Sequence, residues 1–108
     1  VKLSKNVVKE PINEIIVQGT YVKIGKSHTG LGTWYAFKGG LYAASPWLPI
    51  GSYARVTNRA NGKSVIVEIN DRGPFGKNRI IDLDKVAFQK IASLGAGVID
   101  TKVEEILN

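Results

Sequence analysis

The sequence predicts a small, mainly β domain closed into a barrel, and three observations carry that expectation. Short runs rich in β-branched and aromatic residues recur between Gly, Pro and Asn breaks. An Asn61-Gly62 pair separates two such runs, the arrangement a β-hairpin favours. Only the stretch after Asp84 has helical spacing, and several short strands with one short helix suit a closed barrel better than an open sandwich.

In chain order, Val7-Val8 and Ile15-Ile16-Val17 read as short strands, with Pro11 at a break or an edge and Gly19 ending the second. Gly25-Lys26-Ser27-His28-Thr29-Gly30 reads as a flexible linker, which predicts two parts: an N-terminal strand segment over 1–25 and a barrel domain over 26–108. Gly32 to Ala36 is an aromatic-rich strand on which only one of Trp34 and Tyr35 can face inward. Pro46 and Pro49 bracket Trp47-Leu48 in a non-helical loop.

Tyr53–Asn58 and Ser64–Ile69 form the hairpin arms, with Val65, Val67 and Ile69 alternating against Ser64, Ile66 and Glu68. Asn70-Asp71-Arg72-Gly73-Pro74-Phe75-Gly76 then takes the chain off the sheet. Arg79–Leu83 is a further strand, and Asp84 caps a helix to about residue 93 with Ala87, Ile91 and Leu94 on one face, stopped by Gly95 and Gly97. A closing strand follows from Val98 to Leu107, with Ile99, Thr101, Val103 and Glu105 on one face.

Composition excludes several chemistries. The chain has no cysteine and one histidine, so disulfides, thiol nucleophiles and a structural zinc site are not expected, and no metal or other cofactor is implied. Fifteen basic against nine acidic residues give a net charge of +6, which favours a polyanionic partner. The basic residues are scattered, so a solubilising surface explains them equally well and nucleic acid is not the expected partner. No apolar run approaches the roughly 20 residues of a membrane span. The chain begins at Val1 inside what reads as a strand, which predicts a longer precursor with any export signal upstream.

The ordered series Gly32-Thr33-Trp34-Tyr35, Ala43-Ala44-Ser45-Pro46-Trp47-Leu48-Pro49, Arg55-Val56-Thr57-Asn58, Ile69-Asn70-Asp71-Arg72-Gly73-Pro74-Phe75 and Ile81-Asp82-Leu83-Asp84 resembles the RlpA-like double-psi β-barrels. The resemblance covers about residues 30–106 and implies six barrel strands with one or two short helices. Residues 1–20, Glu10 to Thr20 above all, resemble the last strands of a G-five type cell-wall module. The implied role is on bacterial peptidoglycan, in a secreted or wall-associated protein: a lytic transglycosylase, or alternatively a non-catalytic wall-binding or expansin-like loosening module. Anionic wall polymers are further candidate partners.

By that resemblance Asp71 falls on the family's active-site acid. Two departures accompany it: residues 36–42 lack the Glu of active members, and Ser45 stands where they carry His. Lytic cleavage needs an acid for the departing glycosidic oxygen and a base for the muramic C6 hydroxyl, roles one carboxyl group fills in turn if its pKa is raised. Asp82 is the other motif carboxylate that the fold is able to bring near. The alternative for Asp71 is a turn residue bonding its own loop, with Arg72 as counterion.

Trp47, Tyr35 and Tyr42 are candidate sugar-stacking residues, with core packing as their alternative. Ser45, Arg72 and Asp82 complete the substrate-binding candidates, Ser45 having no His or Lys nearby in sequence to activate it and reading otherwise as a turn hydroxyl. Arg55, Lys63, Arg72 and Arg79 are candidates for a basic rim, and His28 reads as a solvated linker residue.

Overall fold

The computed structural model describes residues 14–17, 20–36 and 39–107. Its strands are β1 (Glu14–Val17), β2 (Thr20–Tyr35), β3 (Tyr42–Ala44), β4 (Tyr53–Asn58), β5 (Ser64–Asp71), β6 (Arg79–Asp84) and β7 (Ile99–Ile106), with one helix, α1 (Lys85–Ile91), and a 3-10 turn at Leu94–Ala96. The sheet runs β1-β2-β6-β3-β5-β4-β7, and an additional β2–β7 pairing closes the last six into a barrel. β2 lies parallel to β6 and β3 parallel to β5, while the remaining pairs are antiparallel.

The expected six-stranded barrel is therefore present, and β1 pairs with the start of β2. The expected linker at 25–30 is not a linker. Those residues lie within the sixteen-residue β2, where Ser27 to Gly32 pair with Glu104 to Ile99 of β7. Composition misled because glycine in a strand also serves close packing: a Cβ on Gly30 would meet Ile80 Cγ2 at 2.7 Å. Val7, Val8 and Pro11 lie outside the described residues.

The barrel is filled by the inward halves of alternating strands. Val65, Val67 and Ile69 of β5, Ala54 and Val56 of β4, Ile81 and Leu83 of β6 and Val103 of β7 are buried together, and Ala87, Phe88 and Ile91 close the barrel from α1. Each of the Val, Ile, Leu and Phe side chains among them contributes roughly 1.5–3 kcal/mol by leaving water. Of the two neighbouring aromatics on β2, Trp34 packs against this core and donates Nε1–H to the Leu94 carbonyl at 3.1 Å.

The predicted hairpin is β4–β5, in register from Tyr53 opposite Glu68 to Thr57 opposite Ser64. Its loop is longer than a two-residue turn. Gly62 alone in it has positive φ, at 79°, and the Asn58 carbonyl accepts from Gly62 N at 2.7 Å. Asp84 caps α1 by accepting from Val86 N, as expected, but the helix ends at Ile91 and its buried face includes Phe88. On β7 the alternation holds to Val103. Glu104, expected outward, is buried as well, because Arg55 Nη2 reaches its Oε1 at 2.6 Å.

Candidate active site

Three residues in one row across the sheet define the site. Ala44 of β3 is the register partner of Asp82 on β6 and of Asp71 on β5. Its neighbour Ala43 is the partner of Leu83 and Ile69, both fully buried in the barrel. Cross-strand partners share a face, and successive residues alternate between faces. Ala44, Asp71 and Asp82 therefore occupy the outer face, with a bulge between Ala43 and Ala44 on the β5 side.

Asp82 is held from β2. Thr33, its register partner there, donates its hydroxyl to Asp82 Oδ1 at 3.0 Å, and Arg79 Nη2 donates to the same Thr33 oxygen at 3.1 Å. Burial pushes the Asp82 carboxyl above its ordinary pKa, against the opposing effects of the Thr33 hydrogen bond and the Arg79 charge. Asp71, at the end of β5, is exposed, and its Oδ1 accepts from Arg72 N at 2.8 Å, a local bond of the kind the turn reading predicts.

Tyr35 follows Thr33 on the outer face of β2. Its phenol is pushed up to about 12 by burial first and then by the charges of Asp71, Asp82 and Asp84, which places it among the three carboxylates. Asp84 is fully buried, and besides capping α1 it accepts from Gly39 N at 3.0 Å, tying Gly39 to the barrel.

The other expected site residues shape the loops around this row. Ser45 is fully buried and donates N–H to the Asp71 carbonyl, while its Oγ accepts from Trp47 N at 3.2 Å and Leu48 N at 2.9 Å. This is the turn role. Arg72 makes no ion pair with Asp71 among the described residues; its Nη1 donates to the carbonyls of Ser45 and Leu48, lashing the 45–48 loop to the 71–76 loop. Trp47 packs partly against the core, with the His28 ring edge-on at 4.4 Å; His28 is exposed, as expected, but it belongs to a strand and not to a linker. Tyr42, paired with Glu68, lies on the outer face two residues before Ala44.

The expected basic rim is largely committed elsewhere: Arg55 to Glu104, Arg72 to the loop carbonyls, Arg79 to Thr33. Sequence reasoning missed Thr33 as the link between Arg79 and Asp82, and it missed the exposed aromatics Tyr53 and Phe75, 48% and 80% exposed. The β4–β5 alternation points Tyr53 outward beside Glu68, and that pattern is readable from the sequence alone. No group of metal-ligating side chains occurs among the described residues, and none of their helices is long and apolar enough to cross a membrane.

A family profile described as lytic transglycolase matches residues 17–103, most of the chain and all of the site just described. The chain belongs to the lytic transglycolase family. Proteins named endolytic peptidoglycan transglycosylase RlpA are similar to it. That of Pseudomonas aeruginosa is 37% identical over 124 residues, covering 92% of this chain and 36% of the relative. That of Neisseria meningitidis is 57% identical over 65 residues, covering 60% and 27%. The chain thus spans about a third or less of these relatives.

Among solved structures, the Streptomyces papain inhibitor superposes with a TM-score of 0.62 at 27% identity, over 79% of this chain and 97% of the inhibitor. A Clavibacter michiganensis expansin superposes with a TM-score of 0.63 at 18% identity, over 77% and 52%. The expansin likeness is one of fold. Family membership confirms the RlpA-like double-psi barrel read from the motifs.

Proposed function

We propose that this chain is the peptidoglycan-cleaving domain of a lytic transglycosylase, with Asp82 and Asp71 sharing the proton transfers. The observation that carries the reading is that both carboxylates flank Ala44 on one face, Asp82 part-buried and held toward its protonated form by burial, Asp71 exposed. A protonated Asp82 is suited to protonate the departing glycosidic oxygen. The exposed Asp71 carboxylate is suited to accept the muramic C6 hydroxyl proton as that oxygen closes on C1. The strands carrying the two residues lie two spacings apart, about 10 Å between backbones, which leaves room for one sugar linkage between the side chains. The single-Asp scheme that the resemblance implied becomes a two-carboxylate one.

The family match and the RlpA relatives support glycan strands as substrate and a bacterial cell-wall location, and the net charge of +6 supports association with anionic wall polymers. Residues 10–20, read as the tail of a G-five type module, fit a role in placing the barrel on the wall.

The test is digestion of purified sacculi, with products read by mass spectrometry for anhydromuramyl ends. The catalytic reading expects them from the wild type. Their absence, with the protein still sedimenting with sacculi, would favour the second reading, a non-catalytic wall-binding or loosening module. The exposure of Asp71 is the observation on that side.

A further inference from the structure

A second row crosses the outer face beside the carboxylates. Glu68 of β5 is the register partner of Tyr42 on β3 and of Tyr53 on β4, so the three residues stand side by side on one face. That face is the one bearing Asp71, because Tyr42 precedes Ala44 by two residues and Val67 and Ile69, on either side of Glu68, point into the core. The two rows share β3, where they lie two residues or about 7 Å apart, and β5, where the bulge sets Glu68 and Asp71 three residues apart and brings Asp71 to the same face. Glu68 makes no hydrogen bond or ion pair through its side chain among the described residues, although the chain carries an excess of cations. Tyr53 is 48% exposed, and the Tyr42 ring lies against the backbone of Gly40, where a Cβ would come within 2.6 Å of Tyr42 Cε2.

From this juxtaposition we infer that Tyr42, Glu68 and Tyr53 form a subsite for a further sugar of the same glycan, beyond the linkage held at Asp71 and Asp82. The inference rests on the catalytic-face reading above. Tyr42 and Tyr53 are two strand spacings apart, about 10 Å between backbones, close to the disaccharide repeat of a β-1,4-linked glycan. Their rings offer apolar faces to the C–H surfaces of pyranoses. Between them the Glu68 carboxylate accepts hydrogen bonds from the hydroxyls or the acetamido N–H of an aminosugar, bonds strengthened by its charge. Continuity with the carboxylate row fixes the occupant as a glycan chain.

The experiment is calorimetric titration of the whole chain with peptide-free peptidoglycan glycan strands, long ones and single disaccharides, run beside the sacculus digest. Tyr53→Ala is expected to weaken long-strand binding roughly fivefold to tenfold, the value of one aromatic contact, and to leave disaccharide binding unchanged. Tyr53→Phe keeps the ring and should bind like the wild type, and Glu68→Gln should weaken long-strand binding by a smaller factor. Wild-type affinity in Tyr53→Ala overturns the subsite, as does a Tyr53→Ala effect on sedimentation without one on glycan affinity, the mark of a face that meets a second copy. If Asp71→Asn still abolishes product while Tyr53→Ala binds normally, the subsite alone falls. If the wild type makes no anhydro product but Tyr53→Ala weakens binding, the catalytic reading falls and the subsite stands.

Discussion

Asp71 and Asp82 reach the same face of the barrel from opposite sides of one residue, Ala44, which pairs with both. They are eleven positions apart in the sequence. β3, a strand of three residues lying parallel to β5 and antiparallel to β6, brings them together. Ala44 itself is buried, and Tyr35 stands among the carboxylates around it.

Thr33 opposes the protonation of Asp82 that burial favours. Its hydroxyl donates to the carboxylate and so favours the charged form; removing it raises the Asp82 pKa further. In Thr33→Val, the descending limb of the pH–activity profile, where the acid loses its proton, is expected to move to higher pH. Arg79→Met should move it the same way. A limb moving to lower pH would contradict the assignment of Asp82 as the acid.

Tyr35 ties stability to alkaline pH. Burial and the neighbouring carboxylates push its folded-state pKa up to about 12, above the ordinary 10.0 of a tyrosine, so its contribution is fully present below about 10 and is lost as pH rises towards 12. Phenolate absorbance should show a step near 12 that Tyr35→Phe removes, and the variant's thermal midpoint should fall less steeply across that range.

The loops bordering Asp71 depend on Ser45. In Ser45→Ala the backbone N–H groups of Trp47 and Leu48 lose their acceptor, and the Leu48 group is buried. Denaturant titration is expected to show a loss of about 1–3 kcal/mol, the cost of unpaired buried donors.

Arg72→Ala removes the guanidinium that joins the 45–48 and 71–76 loops. Because Arg72 is largely solvent-exposed, the expected stability loss is small, about 1 kcal/mol. Product release should fall more than stability does, since the loop leaving Asp71 loses its tether. Unchanged product release would show that the tether does not position Asp71.

Much of this was legible in the sequence where a local rule governs: the β4–β5 hairpin, the Asp84 cap, the inward Val65-Val67-Ile69 face and the placement of Asp71 at a strand exit. The misreadings share a cause, dependence on partners distant in sequence. Gly25 to Gly30 has linker composition, yet β7 pairs with it and Ile80 packs where a side chain on Gly30 would stand. Glu104 looked like an outward residue because its partner, Arg55, lies 49 positions away. The Arg79–Thr33–Asp82 chain spans three separate motifs, and neither composition nor periodicity joins them. For Trp47, bracketed by prolines, the sequence leaves sugar stacking and core packing both open, and the loop lays it partly onto the core.

The most direct test of the central claim compares sacculus digests by the wild type, Asp71→Asn and Asp82→Asn, each first shown to unfold at the wild-type midpoint and to bind sacculi. The two-carboxylate account predicts anhydromuramyl products from the wild type and their loss from both variants. Full product release by Asp82→Asn would contradict it and return the chemistry to Asp71 alone.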